Sequence, residues 1–143
     1  MPPRTRPPDI RLAVGIDLIA IARVARLLED HPAAARDLFT EVELAYSRGK
    51  RRPEDHLAGG FAAKEAVLKA LGTGLARRMD WTDVEIAHEA GGRPIVRLSG
   101  EVEAEARRSS VSQVEVSIAH SGGFAVAHAV VVRSAIPRSA VAG

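Results

Sequence analysis

Asp17, Glu65 and Lys69 are the residues of this chain whose types and spacing suit them to chemistry. Glu65 and Lys69 lie four positions apart in the helical run from Phe61 to Gly74, so they share one helix face. A carboxylate there can hold a metal ion while the neighbouring ammonium faces a phosphate. A second acid must come from elsewhere, and Asp17, in Val14-Gly15-Ile16-Asp17-Leu18-Ile19, stands where an apolar strand ends. Magnesium commonly keeps waters and binds through one or two carboxylates plus substrate phosphates. Two separated acids therefore suit a magnesium–pyrophosphate site better than a cage made of protein ligands. Read singly, Asp17 is also a turn residue flanking a helix, and Glu65 a solvated helix residue. Ala62, Ala63 and Ala66 favour the functional reading, because small side chains let a ligand or another chain come close.

Other residues carry weaker signals. Lys64 is helix surface charge or a phosphate contact. Gly72 stops the helix as a left-handed cap, which is compatible with a nearby ligand. His120 and Ser121 sit at a strand-to-turn junction before Gly122-Gly123, where they can meet a phosphate or a base edge. Arg51 and Arg52, within Arg48-Gly49-Lys50-Arg51-Arg52, form a solvated basic loop or grip a terminal phosphate. Arg23 and Arg26 are three apart and share a helix face that meets either an acidic partner or water. His31, His56, His88 and His128 have no such context and read as surface or packed residues.

The elements that must position these residues follow from the pattern. Leu12 to Ile16, within Ile10 to Ile19, suits a buried strand. Ile21, Val24, Leu27 and Leu28 repeat at helical spacing until His31-Pro32. A short helix is expected from Ala33 to Leu38. Thr40 with Glu43 forms a capping-box pattern for a helix from Glu41 to Ser47. Pro53 opens the next helix, with Glu54 and Asp55 in its first turn, and it runs to Leu71. Val84 to His88 and Pro94 to Leu98 alternate as a hairpin, and Gly100 to Arg108 reads as a helix. Gln113 to Ile118 and Phe124 to Val132 are strands joined at Ser121-Gly122-Gly123. Helices early and strands late predict an α+β fold with an antiparallel sheet.

At 143 residues the chain reads as one domain over 10–133, with a disordered lead-in over 1–9 and a flexible tail over 134–143. No apolar run approaches the roughly 20 residues of a membrane span, and the N-terminus lacks a signal-peptide core. The absence of cysteine excludes disulfides, thiol catalysis and cysteine-bound zinc, and a cytoplasmic location is expected. The net charge of +2 favours an anionic partner without naming one. Aromatics at 3% are too few for stacking on single-stranded nucleic acid, so neither nucleic acid nor membrane is an expected partner.

Three segments in this order resemble the holo-acyl carrier protein synthases, the short type of 4′-phosphopantetheinyl transferase. They are Val14-Gly15-Ile16-Asp17-Leu18, the run from Phe61 to Gly74, and Ser117-Ile118-Ala119-His120-Ser121. Phe39-Thr40-Glu41 with Glu43 and Tyr46 is similar to that family's middle segment, and the likeness spans roughly residues 12 to 132. The resemblance implies the phosphopantetheinyl transferase fold, an antiparallel sheet packed with a long central helix. It implies transfer of the phosphopantetheine arm of coenzyme A to a serine of an apo acyl carrier protein, with release of adenosine 3′,5′-bisphosphate. Fatty acid biosynthesis is the expected setting, although polyketide and peptide systems use the same arm.

By the same resemblance, Asp17 and Glu65 hold magnesium and act with Lys69 in catalysis. His120 then contacts the nucleotide end, Lys69 the reacting oxygen, and Arg23 docks the acidic carrier; Lys64, Gly72, Ser121, Arg51 and Arg52 are further candidate coenzyme A contacts, and Arg26 and Leu27 further docking candidates, from the residues themselves. The resemblance also implies a homotrimer with coenzyme A bound between subunits. One departure is Leu57-Ala58-Gly59-Gly60-Phe61, where the family often reads Leu-Ala-Gly-Arg-Phe. A phosphate-gripping arginine is missing at Gly60, and Arg51 or Arg52 is the candidate substitute. A second departure is Ala119, where serine is frequent. The serine proton goes to Glu65 or to a water on the metal. The rival readings are a magnesium-dependent nucleotide diphosphate hydrolase and an inactive coenzyme A-binding relative.

Overall fold

The computed structural model describes residues 1–4 and 9–134. Strand β1 (Ile10–Ala20) runs straight into helix α1 (Ile21–Asp30). Helices α2 (Ala34–Leu38) and α3 (Glu41–Arg48) follow, then the long helix α4 (Pro53–Leu71). A 3-10 turn (Trp81–Asp83) enters the hairpin of β2 (Val84–His88) and β3 (Pro94–Leu98). Helix α5 (Gly100–Arg108) leads to the hairpin of β4 (Val111–Ser121) and β5 (Phe124–Ser134). Strands β1, β5 and β4, in that spatial order, form an antiparallel sheet, and β2 with β3 forms a separate one. The expected single sheet is thus two, and α4 packs along the three-stranded one.

Local chemistry sets most of these boundaries. The Thr40 hydroxyl accepts from Glu43 N at 3.3 Å and Glu43 Oε1 accepts from Thr40 N at 2.8 Å, so two free donors at the start of α3 are satisfied. Pro53 opens α4, and Gly72 at φ 82° closes it in a conformation that glycine adopts without a Cβ clash. Arg133 Nη2 caps the same end by donating to Leu71 O at 3.0 Å. The 3-10 turn was not expected, and Asp83 Oδ2 supports it by accepting from Asp80 N at 3.1 Å.

Two strands outrun their expected ends. The β4–β5 ladder continues to the pair Ser121–Phe124, so His120 and Ser121 are strand residues and the turn is Gly122-Gly123. Strand β5 reaches Ser134, which therefore leaves the expected tail. The rest of that tail, 135–143, and residues 5–8 of the expected lead-in lie outside the described residues. Among the described residues no helix is long and apolar enough to cross a membrane.

The core lies between α4 and one face of the β1–β5–β4 sheet. Ala127, Ala129 and Val131 of β5 meet Ala62, Ala63, Ala66 and Val67 of α4, and Ala125 meets Ala58 and Val24, all buried. Small residues on both surfaces let helix and sheet approach closely. At Gly15 the approach is extreme: a Cβ there would lie 2.0 Å from Ala66 O and 2.8 Å from Ala70 N.

The expectation of a buried β1 needs correction. Gly15 faces α4 and is buried, but Leu12, Val14, Ile16 and Leu18 on the other face are 61–68% exposed. Strand side chains alternate between faces, and nothing among the described residues covers the second face.

Gly15→Ala should lower stability by about 1–3 kcal/mol, the usual cost of overpacking. Gly60, mid-helix with nothing within 4 Å of a built Cβ, gives the contrast: Gly60→Ala should be neutral or stabilising. Urea denaturation midpoints of the two variants check both outcomes.

Candidate active site

The same geometry that forces Gly15 against α4 sets the site. Asp17 follows Gly15 by two residues, so the strand's alternation turns it toward the helix as well. Lys69 in the last turn of α4 reaches back to β1, its Nζ 2.9 Å from Ile16 O and 3.1 Å from Asp17 Oδ1. Half of the Lys69 side chain is exposed, against 18% for Asp17, so the ammonium can still turn to a ligand.

Glu65 stands one turn earlier on α4. Partial burial, and next the Asp17 carboxylate, push its pKa above the usual glutamate value, with Lys69 opposing. Asp17, Glu65 and Lys69 therefore converge, as their spacing predicted for the helical pair.

Asp17 and Glu65 line one open cavity of about 950 Å³, roofed by Phe61 and Leu38 and walled by α1. That size accommodates a nucleotide-like ligand. Arg23, Arg26 and Leu27 line the wall, so the expected docking residues border the acid pair. Among the described residues no three His, Cys, Asp or Glu side chains cluster as a protein-only metal cage. Two carboxylates opening on a large cavity are instead the donor set of a cation that keeps waters and takes phosphate oxygens, which fits magnesium.

Lys64 requires a correction. It was expected at the nucleotide, but it is fully buried. Its ammonium donates to Glu43 Oε1 at 2.8 Å and Trp81 O at 3.1 Å, with a further short contact to Val84 O. Glu43 Oε2 accepts from Ile86 N at 3.1 Å. Burial pulls the Lys64 pKa down and Glu43 opposes the shift. The helical period explains the divergence: positions 64 and 65 are about 100° apart on α4, so one faces the core and the next the cavity. Nothing about Lys64 remains free to bind a ligand.

The remaining expected contacts lie elsewhere in the chain. His120 is on β4, across the sheet from β1; its Nε2 lies 2.7 Å from Asp55 O, and its ring packs on Gly59, where a Cβ would lie 2.8 Å from Nε2. Arg51 and Arg52 are exposed just before α4, and Ser121 is exposed at the end of β4. Gly72 is exposed at the far end of α4. None of His120, Ser121, Arg51, Arg52 or Gly72 lines the acid cavity. Within one chain Asp17 on β1 and His120 and Ser121 on β4 occupy opposite edges of the sheet.

A group that the sequence did not single out adjoins His120. Tyr46 stacks on His88 with centroids 3.9 Å apart and meets the edge of His56 at 5.7 Å, and Lys50 Nζ sits 4.4 Å over the Tyr46 ring. His56 lies 6.1 Å from His120. Burial first, then neighbouring positive charge, lowers the pKa of His56 and His88. The four-residue spacing of Tyr46 and Lys50 was the legible part. His88 joins from a hairpin 42 residues later, which no local pattern shows.

A family model described as the 4′-phosphopantetheinyl transferase superfamily matches residues 13–129. The holo-[acyl-carrier-protein] synthase of Moorella thermoacetica is 45% identical over 120 residues, 84% of this chain and 93% of that protein. That of Streptomyces coelicolor is 45% identical over 116 residues, covering 81% and 93%. The crystal structure of a Bacillus anthracis holo-(acyl-carrier-protein) synthase in complex with coenzyme A superposes with a TM-score of 0.72 at 32% identity, covering 88% of this chain and all of that one.

Lys64→Met should cost roughly 3–5 kcal/mol, because it strands the Glu43 carboxylate in the core. Adding Glu43→Leu should restore part of that loss in a denaturant titration. At Glu65, a raised pKa leaves more of the carboxyl protonated at a given mildly acid pH, and a proton competes with a cation. Magnesium affinity measured by calorimetry should therefore weaken on acidification at a higher pH than the ordinary glutamate value of about 4.3 would give. Glu65→Gln should remove that component.

Proposed function

The chain belongs to the 4′-phosphopantetheinyl transferase superfamily, and from that premise we propose that it is a holo-acyl carrier protein synthase. It transfers the phosphopantetheine arm of coenzyme A to a serine of an apo acyl carrier protein and releases adenosine 3′,5′-bisphosphate. The observation that carries this reading is the pair Asp17 and Glu65 on a cavity walled by Arg23 and Arg26, with Lys69 bonded to Asp17. The names of the relatives, and the coenzyme A held by the Bacillus anthracis protein, support it.

In the reaction the serine oxygen bonds to the phosphorus bearing the arm, the diphosphate P–O bond breaks, and the serine proton leaves. Most of the catalytic effect in such a transfer is positioning and charge stabilisation. Asp17 and Glu65 hold magnesium, which offsets charge on the diphosphate when bound. Lys69 turns from Asp17 to the bridging oxygen, where its ammonium stabilises or protonates the departing phosphate. Glu65, on the cavity wall, or a water on the metal would take the serine proton. Arg23 and Arg26 receive the acidic carrier so that its serine arrives at this end of the cavity, with Leu27 as the apolar contact beside them.

We further propose that the working form is a homotrimer with each site between subunits. Two observations support this. Asp17 on β1 and His120 on β4 stand on opposite sheet edges of one chain, so one ligand meets both most simply when a neighbour supplies one. On the outer sheet face Leu12, Val14, Ile16 and Leu18 of β1 stand exposed in one row, an apolar stripe of the kind that marks an interface. We place the reaction in the cytoplasm and in fatty acid biosynthesis.

Incubation with coenzyme A, magnesium and apo acyl carrier protein should add one phosphopantetheine to the carrier, read by mass spectrometry. Asp17→Ala and Glu65→Ala should each lose about 10²-fold or more in turnover, and excess magnesium should restore only part. Full turnover by either variant would remove the metal assignment. Nucleotide release without carrier would indicate a hydrolase, and binding without transfer an inactive relative.

A further inference from the structure

The wall that α1 gives to the acid cavity carries charge of both signs. Arg23 stands in the first turn of the helix and Arg26 in the second, while Glu29 and Asp30 end it; all four are exposed and line the cavity. Asp30 follows Arg26 by four positions, Leu27 by three and Arg23 by seven, so it prolongs the stripe that these residues form. With a rise of about 1.5 Å per residue, it stands roughly 6 Å beyond Arg26 and roughly 10 Å beyond Arg23 along the helix.

The helix itself gains nothing from Asp30. A helix C-terminus carries partial negative charge and disfavours an acid, and the last turn of α1 holds no basic residue to offset it. Among the described residues none of Arg23, Arg26, Glu29 and Asp30 forms an ion pair. Their charges are left to whatever enters the cavity.

We propose that Asp30, flanked by Glu29, sets the register of the carrier protein on α1: it repels the carrier's acidic residues and so confines them to Arg23 and Arg26. This rests on the transferase reading above, in which an acidic carrier docks on this wall. Arginines along a helix attract an acidic surface without fixing where along the helix it settles. A slip of one turn displaces the carrier by about 5.4 Å. The serine oxygen then misses the phosphorus, since reacting atoms must stand about 3–3.5 Å apart. After a slip toward the end of α1, an acid that belonged over Arg26 meets Asp30 instead. Like charges set against each other across an interface suppress wrong alignments and fix the register. Asp30 adds no strength to docking; it removes alignments in which nothing reacts.

Unreactive alignments have a kinetic signature. They compete with the reactive complex, so they lower kcat and the carrier KM together. The ratio kcat/KM refers to free enzyme and free carrier, so dead-end complexes leave it alone.

Steady-state transfer from coenzyme A to the apo carrier at low salt tests this with Asp30→Asn. The variant loses an acid that the helix end disfavours, so its Tm should be no lower than that of the wild type. Its kcat and carrier KM should both fall about two- to fivefold, the size of an exposed charge pair. Its kcat/KM for the carrier should be no lower, and its KM for coenzyme A should be unchanged. Asp30→Lys should lower kcat and carrier KM further, and in about 0.5 M salt the differences should vanish. An unchanged kcat, a higher carrier KM or a lower kcat/KM in Asp30→Asn would overturn the inference, because these mean no role, a direct attractive contact or a disturbed site. A wild type that leaves the carrier unmodified, or an Arg23→Ala variant whose carrier KM does not rise, would instead overturn the docking reading beneath it.

Discussion

Everything catalytic in this protein depends on one backbone contact, the seating of Gly15 against the Ala66–Ala70 turn of α4. No side chain fits between the two, so strand and helix touch directly. The contact fixes how far along α4 the strand sits. Asp17, two residues on, is thereby delivered to Glu65 and Lys69 and to no other turn of the helix. The proposed metal site, made of two acids 48 residues apart, would need this kind of hard stop, because soft packing would let the carboxylates drift by more than a ligand bond tolerates.

A second constraint keeps α4 from rotating under that strand. Lys64 and Glu43 tie the helix to α3 and, through Ile86 N and the carbonyls of Trp81 and Val84, to the second hairpin. Each partner is hydrogen-bonded several times over, which makes a buried charge pair tolerable. The pair faces the core while Glu65 faces the cavity. Consecutive residues on one helix thus divide structure from chemistry.

The single chain is asymmetric in what it completes. Its core is closed on one side of the sheet, yet the other side leaves Leu12, Val14, Ile16 and Leu18 in the open. The site is likewise half assembled, with acids at the β1 edge and His120 at the β4 edge. One cause underlies both: a three-stranded sheet with a single helix layer has a face and an edge to spare. The proposed trimer would use both.

Much of this was legible in the residues. Capping boxes, Pro53, Gly72 and the two hairpin turns are local, and local chemistry set α3, α4, β2, β3 and α5 where their patterns put them. Glu65 and Lys69 could be paired because helical spacing alone places them together. The errors have one origin. Strand β1 read as wholly buried, and Lys64 read as a ligand contact, because composition does not say which face of an element another element will cover. The Tyr46–His56–His88 group was invisible for the same reason, its members being brought together by two helices and a hairpin. What the chain determined by itself was the set of elements and which side chains share each face, since these follow from periods of two and 3.6 residues. Which faces meet, and so which acid finds which, was decided only by tertiary packing, where contacts between distant segments outweigh anything neighbours in sequence can specify.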